Sequence, residues 1–278
     1  MSKVWFITGA GSGIGGATAR AALKVGDRVV ATGRNLDKVR GALSDVAGDR
    51  LAFVQLDVAN EEQAGIAADE AVKAFGRIDV LLNNAGYSLL GNFEELSTAE
   101  IEGLMSTNFY GVMYVMRAVL PVMRKQRSGR IINISSLAGI IGFKHCAAYS
   151  ASKFAVEGLS QAVAQEVEQF GIKITAVSPG FFRTDLLDAQ NAKYAASTIE
   201  DYAAEGSAED MWSGYNGKQG GDPAKLADVL VKFVGLENPP KQFVAGSDAL
   251  AAYKPTLEGR LDELRVCEEL SNSTDGSF

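Results

Sequence analysis

The sequence predicts an α/β protein, a doubly wound parallel sheet of about seven strands in a single domain with a helical lid, and three observations carry that expectation. Short apolar, β-rich runs alternate with helical stretches along most of the 278 residues, and strands alternating with helices at this spacing build a parallel sheet covered on both faces. The first of those runs passes directly into a glycine-rich loop and a helix, the order of a nucleotide-binding βαβ unit. Hydrophobic residues make up 47% and charged residues 22%, a balance that suits one soluble core, and nothing in the chain resembles a linker.

The same composition excludes several functions. A net charge of -7 opposes general binding to a phosphate backbone, which needs clustered Lys and Arg, so no nucleic-acid partner is expected. The longest basic run, Arg124-Lys125-Gln126-Arg127, falls at a helix end, where cations complement the dipole. Cys146 and Cys267 are far apart and match no metal spacing, and His145 is the single histidine, so no metal is expected. No apolar run approaches membrane-spanning length, no secretory leader is read, and two free thiols fit a reducing compartment. The expected location is the cytoplasm.

Residues 3–8 (KVWFIT) form the first strand and lead into Gly9-Ala10-Gly11-Ser12-Gly13-Ile14-Gly15-Gly16, followed by a helix over 17–24. Glycines let backbone N–H groups approach a pyrophosphate at a helix N-terminus. Gly9, Gly11, Ser12, Gly13, Ile14 and Gly15 are therefore expected to bind a dinucleotide. Residues 28–32 (RVVAT) form the second strand, followed by Gly33-Arg34-Asn35. An acid at the end of this strand would take the ribose hydroxyls of NAD, whereas an arginine accepts a 2'-phosphate. Arg34 thus favours NADP(H) over NAD(H), with a solvated loop cation as the plainer reading of the same residue. Asp37 is explained by Asn35 as a helix N-cap with Asp37 in the first turn.

Residues 51–56 (LAFVQL) form the third strand, ending at Asp57-Val58, and a helix over 60–75 opens with Asn60, Glu61 and Glu62. The fourth strand, 79–82, runs into Asn83-Asn84-Ala85-Gly86. Ligands of open α/β sheets lie beyond the carboxyl ends of the strands, which adds Asp57, Val58, Asn84, Ala85 and Gly86 to the expected cofactor site. Further on, Tyr149-Ser150-Ala151-Ser152-Lys153 opens a long helical run. Residues four apart share a helix face, so an ammonium beneath a phenol favours its ionised form and builds a proton donor.

Three of these stretches, Thr8-Gly9-x-x-x-Gly13-Ile14-Gly15, Asn83-Asn84-Ala85-Gly86 and Tyr149-x-x-x-Lys153, resemble in order and spacing the signatures of the short-chain dehydrogenase/reductase (SDR) family. The resemblance covers roughly residues 3–247. It implies a Rossmann-type catalytic domain over 1–247, a substrate lid over 185–221, and a helical extension with a polar tail over 248–278.

It also implies roles. Asn108 matches the family's catalytic asparagine, which holds a water linking the lysine to solvent; a helix kink or cap is the alternative. Residues 130–135 (RIINIS) form the fifth strand, and Ser136 stands thirteen residues before Tyr149, the family separation for the serine that hydrogen-bonds the substrate carbonyl. Ser135 is the competitor, and successive strand residues face opposite ways. By similarity Lys153 also grips the nicotinamide ribose. The implied reaction is proton donation by Tyr149 to a carbonyl oxygen as hydride arrives from NADPH, run backwards for a secondary alcohol.

After the sixth strand, 172–177 (IKITAV), the run Ser178-Pro179-Gly180 followed by Thr184 resembles the family loop that closes on the nicotinamide, making Pro179, Gly180 and Thr184 cofactor candidates. Residues 185–221 carry Leu186, Leu187, Tyr194, Tyr202, Met211, Trp212 and Tyr215. These side chains read either as a pocket for a bulky apolar carbonyl compound or as the lid's own packing. His145 and Cys146 are expected to line the pocket or the surface. Gln242–Ala245 (QFVA) resembles the seventh strand, and Ser247-Asp248 is expected to cap a helix from 249 to about 270, interrupted at Pro255. That extension is expected to cover a sheet edge, leaving a homodimer through the helices near Asn108 and Tyr149, with a tetramer or monomer as alternatives. A non-catalytic NADP(H) sensor is the competing function, but a sensor has no need of Ser136, Tyr149 and Lys153 together.

Overall fold

The computed structural model describes residues 2–188, 191–204 and 206–276; positions 189, 190 and 205 of the expected lid and 277–278 of the expected tail lie outside the described residues. Its strands are β1 (Val4–Ile7), β2 (Arg28–Gly33), β3 (Leu51–Gln55), β4 (Val80–Asn83), β5 (Ser88–Leu90), β6 (Gly129–Ile134), β7 (Ile172–Pro179), β8 (Ala192–Tyr194) and β9 (Gln242–Ala245). Seven of them pair in parallel in the order β3-β2-β1-β4-β6-β7-β9, while β5 and β8 form a separate pair. The chain runs outward from β1 to β3, then returns to the other side of β1 as β4. That reversal opens a crevice at the carboxyl ends of β1 and β4. Register keeps the ends level: Ile7 lies opposite both Ala31 and Leu82, and Asn83 opposite Asn133.

The helices are α1 (Gly13–Lys24), α2 (Leu36–Ala42), α3 (Glu61–Phe75), α4 (Thr98–Met105), α5 (Gly111–Gln126), α6 (Ala147–Val167), α7 (Glu200–Ala203), α8 (Ala208–Ser213), α9 (Pro223–Gly235), α10 (Ser247–Val266) and α11 (Glu268–Asn272). Local chemistry sets many of their ends. Asn60 caps α3 by accepting from Gln63 N at 3.0 Å, and Gly76 closes it at φ +80. Ser97 and Glu100 cap α4 reciprocally, the capping-box arrangement. Asp222 with Pro223 opens α9.

Buried parallel strands read as unbroken apolar runs, and all four residues of β1 are buried. Their alternation divides the core: Trp5 and Ile7 pack with Ala19, Leu226 and Leu230 of α1 and α9, while Phe6 packs with Ala67, Val115 and Val156 of α3, α5 and α6. The sheet is therefore covered on both faces, as the alternation of elements required.

Two expectations for the C-terminal segment are corrected. Pro255 lies inside α10, and the break falls at Cys267; the carbonyl that proline leaves without a donor is on a solvated helix face, where water serves it. Asp248 does not cap the helix, which starts at Ser247 behind Gly246 at φ +104. Its carboxylate instead accepts from Phe181 N at 2.7 Å, tying the loop after β7 to α10. The extension packs through Ala249 and Tyr253 against Leu137 and Ile140, and residues 257–276 are exposed along their length, so only its first turns cover the body.

Candidate active site

A cavity of about 400 Å³ runs along the carboxyl ends of the strands. At one end the glycine loop forms its floor. Gly9 takes φ +65, and a Cβ there would stand 3.0 Å from both Ala85 Cα and Asn84 Nδ2; Gly13 takes φ +53 with Thr184 3.2 Å from where its Cβ would be. Neither position admits a side chain. Thr8 staples the loop to β4: its Oγ1 accepts from Asn84 N at 2.9 Å and Ala85 N at 3.1 Å, and Asn84 Nδ2 donates to Thr8 O and Gly9 O, both at 3.1 Å. Gly9, Gly11, Ser12, Gly13 and Ile14 line the cavity, whereas Gly15 does not. A Cβ on Gly15 would lie 2.5 Å from Gly9 O and from Asn84 Nδ2, so Gly15 lets α1 close against the loop from behind.

At the end of β2 the lining comes from Gly33, Arg34, Asn35 and Lys38. Asn35 accepts from Lys38 N at 3.0 Å as the N-cap of α2, and Asp37 points away to meet Arg40 at 3.7 Å on the surface. Two cations thus border this part of the cavity, and the carboxylate nearest in sequence is turned outward. Lys38 escaped the sequence reading; it lies in the first turn of α2, whose start the Asn35 cap fixes beside the end of β2. Asp57 and Val58 at the end of β3, and Asn84, Ala85 and Gly86 after β4, also face the cavity.

The opposite end gathers Ser136, Tyr149 and Lys153. Ser136 follows β6 and accepts from Ala138 N at 3.1 Å. Ser135 also lines the cavity, and its hydroxyl donates to Lys153 O at 3.3 Å. Lys153 Nζ donates to Ile134 O at 2.9 Å and lies 5.9 Å from the centroid of the Tyr149 ring. Burial pushes the Tyr149 phenol up to about 12, with a hydrogen bond from its neighbour Ser136 pulling the other way. Burial also drives Lys153 down to about 8, opposed by the charge of Glu157. The expected lowering of the phenol by Lys153 is corrected: burial outweighs the hydrogen bond from Ser136, and Tyr149 keeps its proton at neutral pH, as a proton donor must.

Asn108 stands outside the lining. It is buried in a π-helical turn, Ser106–Tyr110, between α4 and α5. Its Oδ1 accepts from Tyr87 N at 3.1 Å, and its Nδ2 donates to Tyr87 O at 3.0 Å and Ser152 Oγ at 3.3 Å. A Cβ on Gly86 would meet Asn108 Oδ1 at 3.1 Å and Lys153 Nζ at 3.7 Å, so Asn108 and Lys153 both flank Gly86, Lys153 from within the cavity and Asn108 from outside its lining.

Pro179, Gly180 and Thr184 close the cavity from the β7 side, and Thr184 accepts from Leu186 N at 3.4 Å to start a short turn. Beyond Tyr149 the walls become apolar. Leu90, Phe143 and Cys146 contribute from the body, and Leu186, Leu187 and Trp212 from the lid. Other aromatics serve the lid itself: Tyr215 stacks on Phe181 at 5.1 Å, Tyr202 donates to Glu94, and neither lines the cavity. The aromatics of 185–221 thus divide, Trp212 lining the cavity while Tyr202 and Tyr215 pack outside it. Burial pushes the Cys146 thiol up to about 12, which removes it as a nucleophile at neutral pH. His145 is buried at φ +60 outside the lining. Among the described residues no group of His, Cys, Asp and Glu is placed to hold a metal ion, and no helix is long and apolar enough to cross a membrane.

The family model described as short chain dehydrogenase matches residues 3–195, well over half of the chain. The protein belongs to the short-chain dehydrogenase/reductase family. A protein of Bacteroides thetaiotaomicron named 3-ketodihydrosphingosine reductase is 39% identical over 86% of each chain. The crystal structure of a short-chain dehydrogenase from Streptomyces avermitilis superposes with a TM-score of 0.90 at 36% identity, covering 99% of this chain and all of that one. A structure described as ElxO with NADP bound reaches a TM-score of 0.75 at 32% identity over 90% of this chain and all of that one. Solved neighbours hold NADP in some cases and NAD in others.

The SDR chain described here is thus an oxidoreductase that binds NAD(P) and acts on a small molecule, and its residues fit that cofactor. The start of α1 carries no acid in its first turn, and Ser12 makes no capping bond with its side chain; free N–H groups and a free hydroxyl at a helix N-terminus suit a pyrophosphate. Gly9 and Gly13 keep the loop free of side chains at their positions, and Arg34 and Lys38 border the same cavity at the end of β2.

Proposed function

We propose that the protein is an NADP(H)-dependent carbonyl reductase, interconverting a bulky apolar ketone or aldehyde with its alcohol. The observation that carries this reading is one cavity with Arg34 and Lys38 at one end, Ser136, Tyr149 and Lys153 at the other, and apolar walls beyond. When bound, the dinucleotide supplies the hydride in reduction and accepts it in oxidation. Tyr149, protonated at neutral pH, donates its proton to the carbonyl oxygen. Ser136, already hydrogen-bonded to the phenol, holds that oxygen beside it. Lys153 places a positive charge on the proton-donating side, where it stabilises the phenolate left behind. Asn108 holds the backbone of Tyr87, so we assign it a positioning role. Leu90, Phe143, Leu186, Leu187 and Trp212 exclude water and accept the substrate's apolar body. The reductase named for a 3-keto compound, at 39% identity, supports the ketone reading.

The decisive experiment monitors NAD(P)H absorbance against a panel of ketones, aldehydes and secondary alcohols. Absence of turnover with every compound would leave the non-catalytic sensor in its place. For the cofactor, Arg34→Ala is expected to weaken NADPH about tenfold to a hundredfold, the worth of a charge-assisted phosphate contact, with NADH little changed. Equal losses for both cofactors would sink the NADP assignment. We also expect a homodimer through α5 and α6, with Tyr110 on the turn that leads into α5 and Phe154 on α6, 42% and 39% exposed. Light scattering that returns mainly monomer mass would defeat this. Two free cysteines support a reducing compartment such as the cytoplasm.

A further inference from the structure

A buried acid stands one helical turn beyond Lys153. Glu157 is 4% exposed, a degree of burial that an ionised carboxylate reaches only with partners. Its Oε1 accepts from Ser178 Oγ of β7 at 2.6 Å, and its Oε2 accepts from Gln242 Nε2 of β9 at 3.1 Å. Both donors are neutral. A glutamine at 157 would keep the acceptor for Ser178, and turning the Gln242 amide would restore the second bond, so these hydrogen bonds alone do not call for a charge. The only basic residue of α6 is Lys153, on the same face four residues back.

Lys153 has the complementary difficulty. It is 5% exposed, and its ammonium has a single neutral acceptor, Ile134 O. The groups around it are Tyr149 and Glu157 on α6, Ser135 and Ser136 after β6, Asn108 behind Gly86, and Ser178 and Gln242 around the acid. Of these only Tyr149 and Glu157 titrate, with Cys146 beyond the phenol; Tyr149 and Cys146, both pushed up to about 12, are neutral at pH 7. Glu157 is the one negative charge in the set.

We propose that Glu157 is a positioning residue of the reaction, whose buried charge keeps Lys153 in its ammonium form beside Tyr149. The inference rests on the catalytic reading of Tyr149 and Lys153. The direction of each influence on Lys153 agrees with it, burial lowering and Glu157 raising. Without the carboxylate the lysine loses its proton within the neutral range, and the phenolate formed in the reaction loses its cation.

The test is the pH profile of kcat/KM for wild type, Glu157→Gln and Glu157→Asp, with the Lys153 13Cε resonance titrated by NMR in each protein. Glu157→Gln is expected to move the alkaline limb and the lysine midpoint to lower pH by about one unit or more, the size of a buried charge pair. The loss of activity then grows as pH rises. Glu157→Asp is expected to return most of the shift, because it keeps the charge. An unmoved limb and resonance in Glu157→Gln would overturn the proposal, as would an aspartate variant that behaves like the glutamine one. Should Glu157→Gln not fold, the wild-type titration decides: a Lys153 midpoint below pH 7 would show that the carboxylate does not hold the charge. The NMR readout is independent of turnover, so an inactive wild type would remove the catalytic reading and leave the charge pairing measurable.

Discussion

Tyr149→Phe lowers kcat for carbonyl reduction by about 10²–10⁴-fold, the contribution of a positioned general acid, and leaves the fold intact. The ring remains to pack with Leu89, Leu104 and Ala138, so what is lost is the hydroxyl that holds the proton and meets Ser136. A single buried donor is removed, and Ser136 still has Ala138 N as a donor. Steady-state kinetics with a turned-over ketone, together with NADPH titration by fluorescence, separate the effects: kcat falls while cofactor affinity stays near wild type. Full activity in the phenylalanine variant would refute the assignment of Tyr149. The expected pH dependence follows from the same group. A phenol raised to about 12 stays protonated as pH climbs, so the alkaline limb of reduction reports Lys153, lowered to about 8.

Trp5→Ala is expected to cost about 3–5 kcal/mol of stability, the range for truncating a buried tryptophan, and to lower the melting temperature by roughly 10 °C in a chain of this size. Trp5 is 0% exposed at the centre of the sheet, between Val29 of β2 and Val80 of β4. Its indole N–H donates to Asp27 Oδ2 at 2.9 Å, and Asp27 Oδ1 accepts from Lys3 N at 2.8 Å. Truncation therefore leaves a void and removes one donor from a buried carboxylate. Thermal unfolding followed by circular dichroism measures the loss. Activity at 25 °C is expected to persist in the folded fraction, because the indole lies toward the amino end of β1 and the reacting groups beyond the carboxyl ends. A loss below about 1 kcal/mol would contradict the packing described.

The parts legible in the sequence are those that local chemistry determines. The seven strands are short apolar runs because both faces are buried, and Asn35, Asn60 and Pro223 announce helix starts within a few residues. The glycine loop and the Tyr149 to Lys153 spacing are local as well. What escaped depends on contacts across the fold. Asp248 reads as a cap until Phe181 is seen 67 residues away. The packing of Gly15 against Gly9 O and Asn84 likewise shows only in the fold. That the Tyr149 phenol is raised rather than lowered was not legible, because its spacing to Lys153 is visible in the chain, whereas its burial among Leu89, Leu104 and Ala138 comes from distant elements. Glu157 gives no signal in the sequence, because the donors that hold it, Ser178 and Gln242, come from β7 and β9. The three-residue strands β5 and β8 are too short to show a period, and their pairing joins residues about 100 positions apart.

That small pair has an evolutionary consequence. The lid makes its parallel ladder with β5, Ser88 to Ala192 through Leu90 to Tyr194, and not with the seven-stranded sheet. Its buried side chains Ala208 and Trp212 belong to a cluster with Leu90 and Cys146, separate from the two clusters that hold the sheet. Substitutions there trade among a few local contacts, with little draw on the stability of the whole. On the function proposed above, substrate preference would drift by exchange of residues in 185–221 while the proton-transfer groups and the nucleotide cradle stay as they are, so descendants of this chain would acquire new substrates one tolerated replacement at a time.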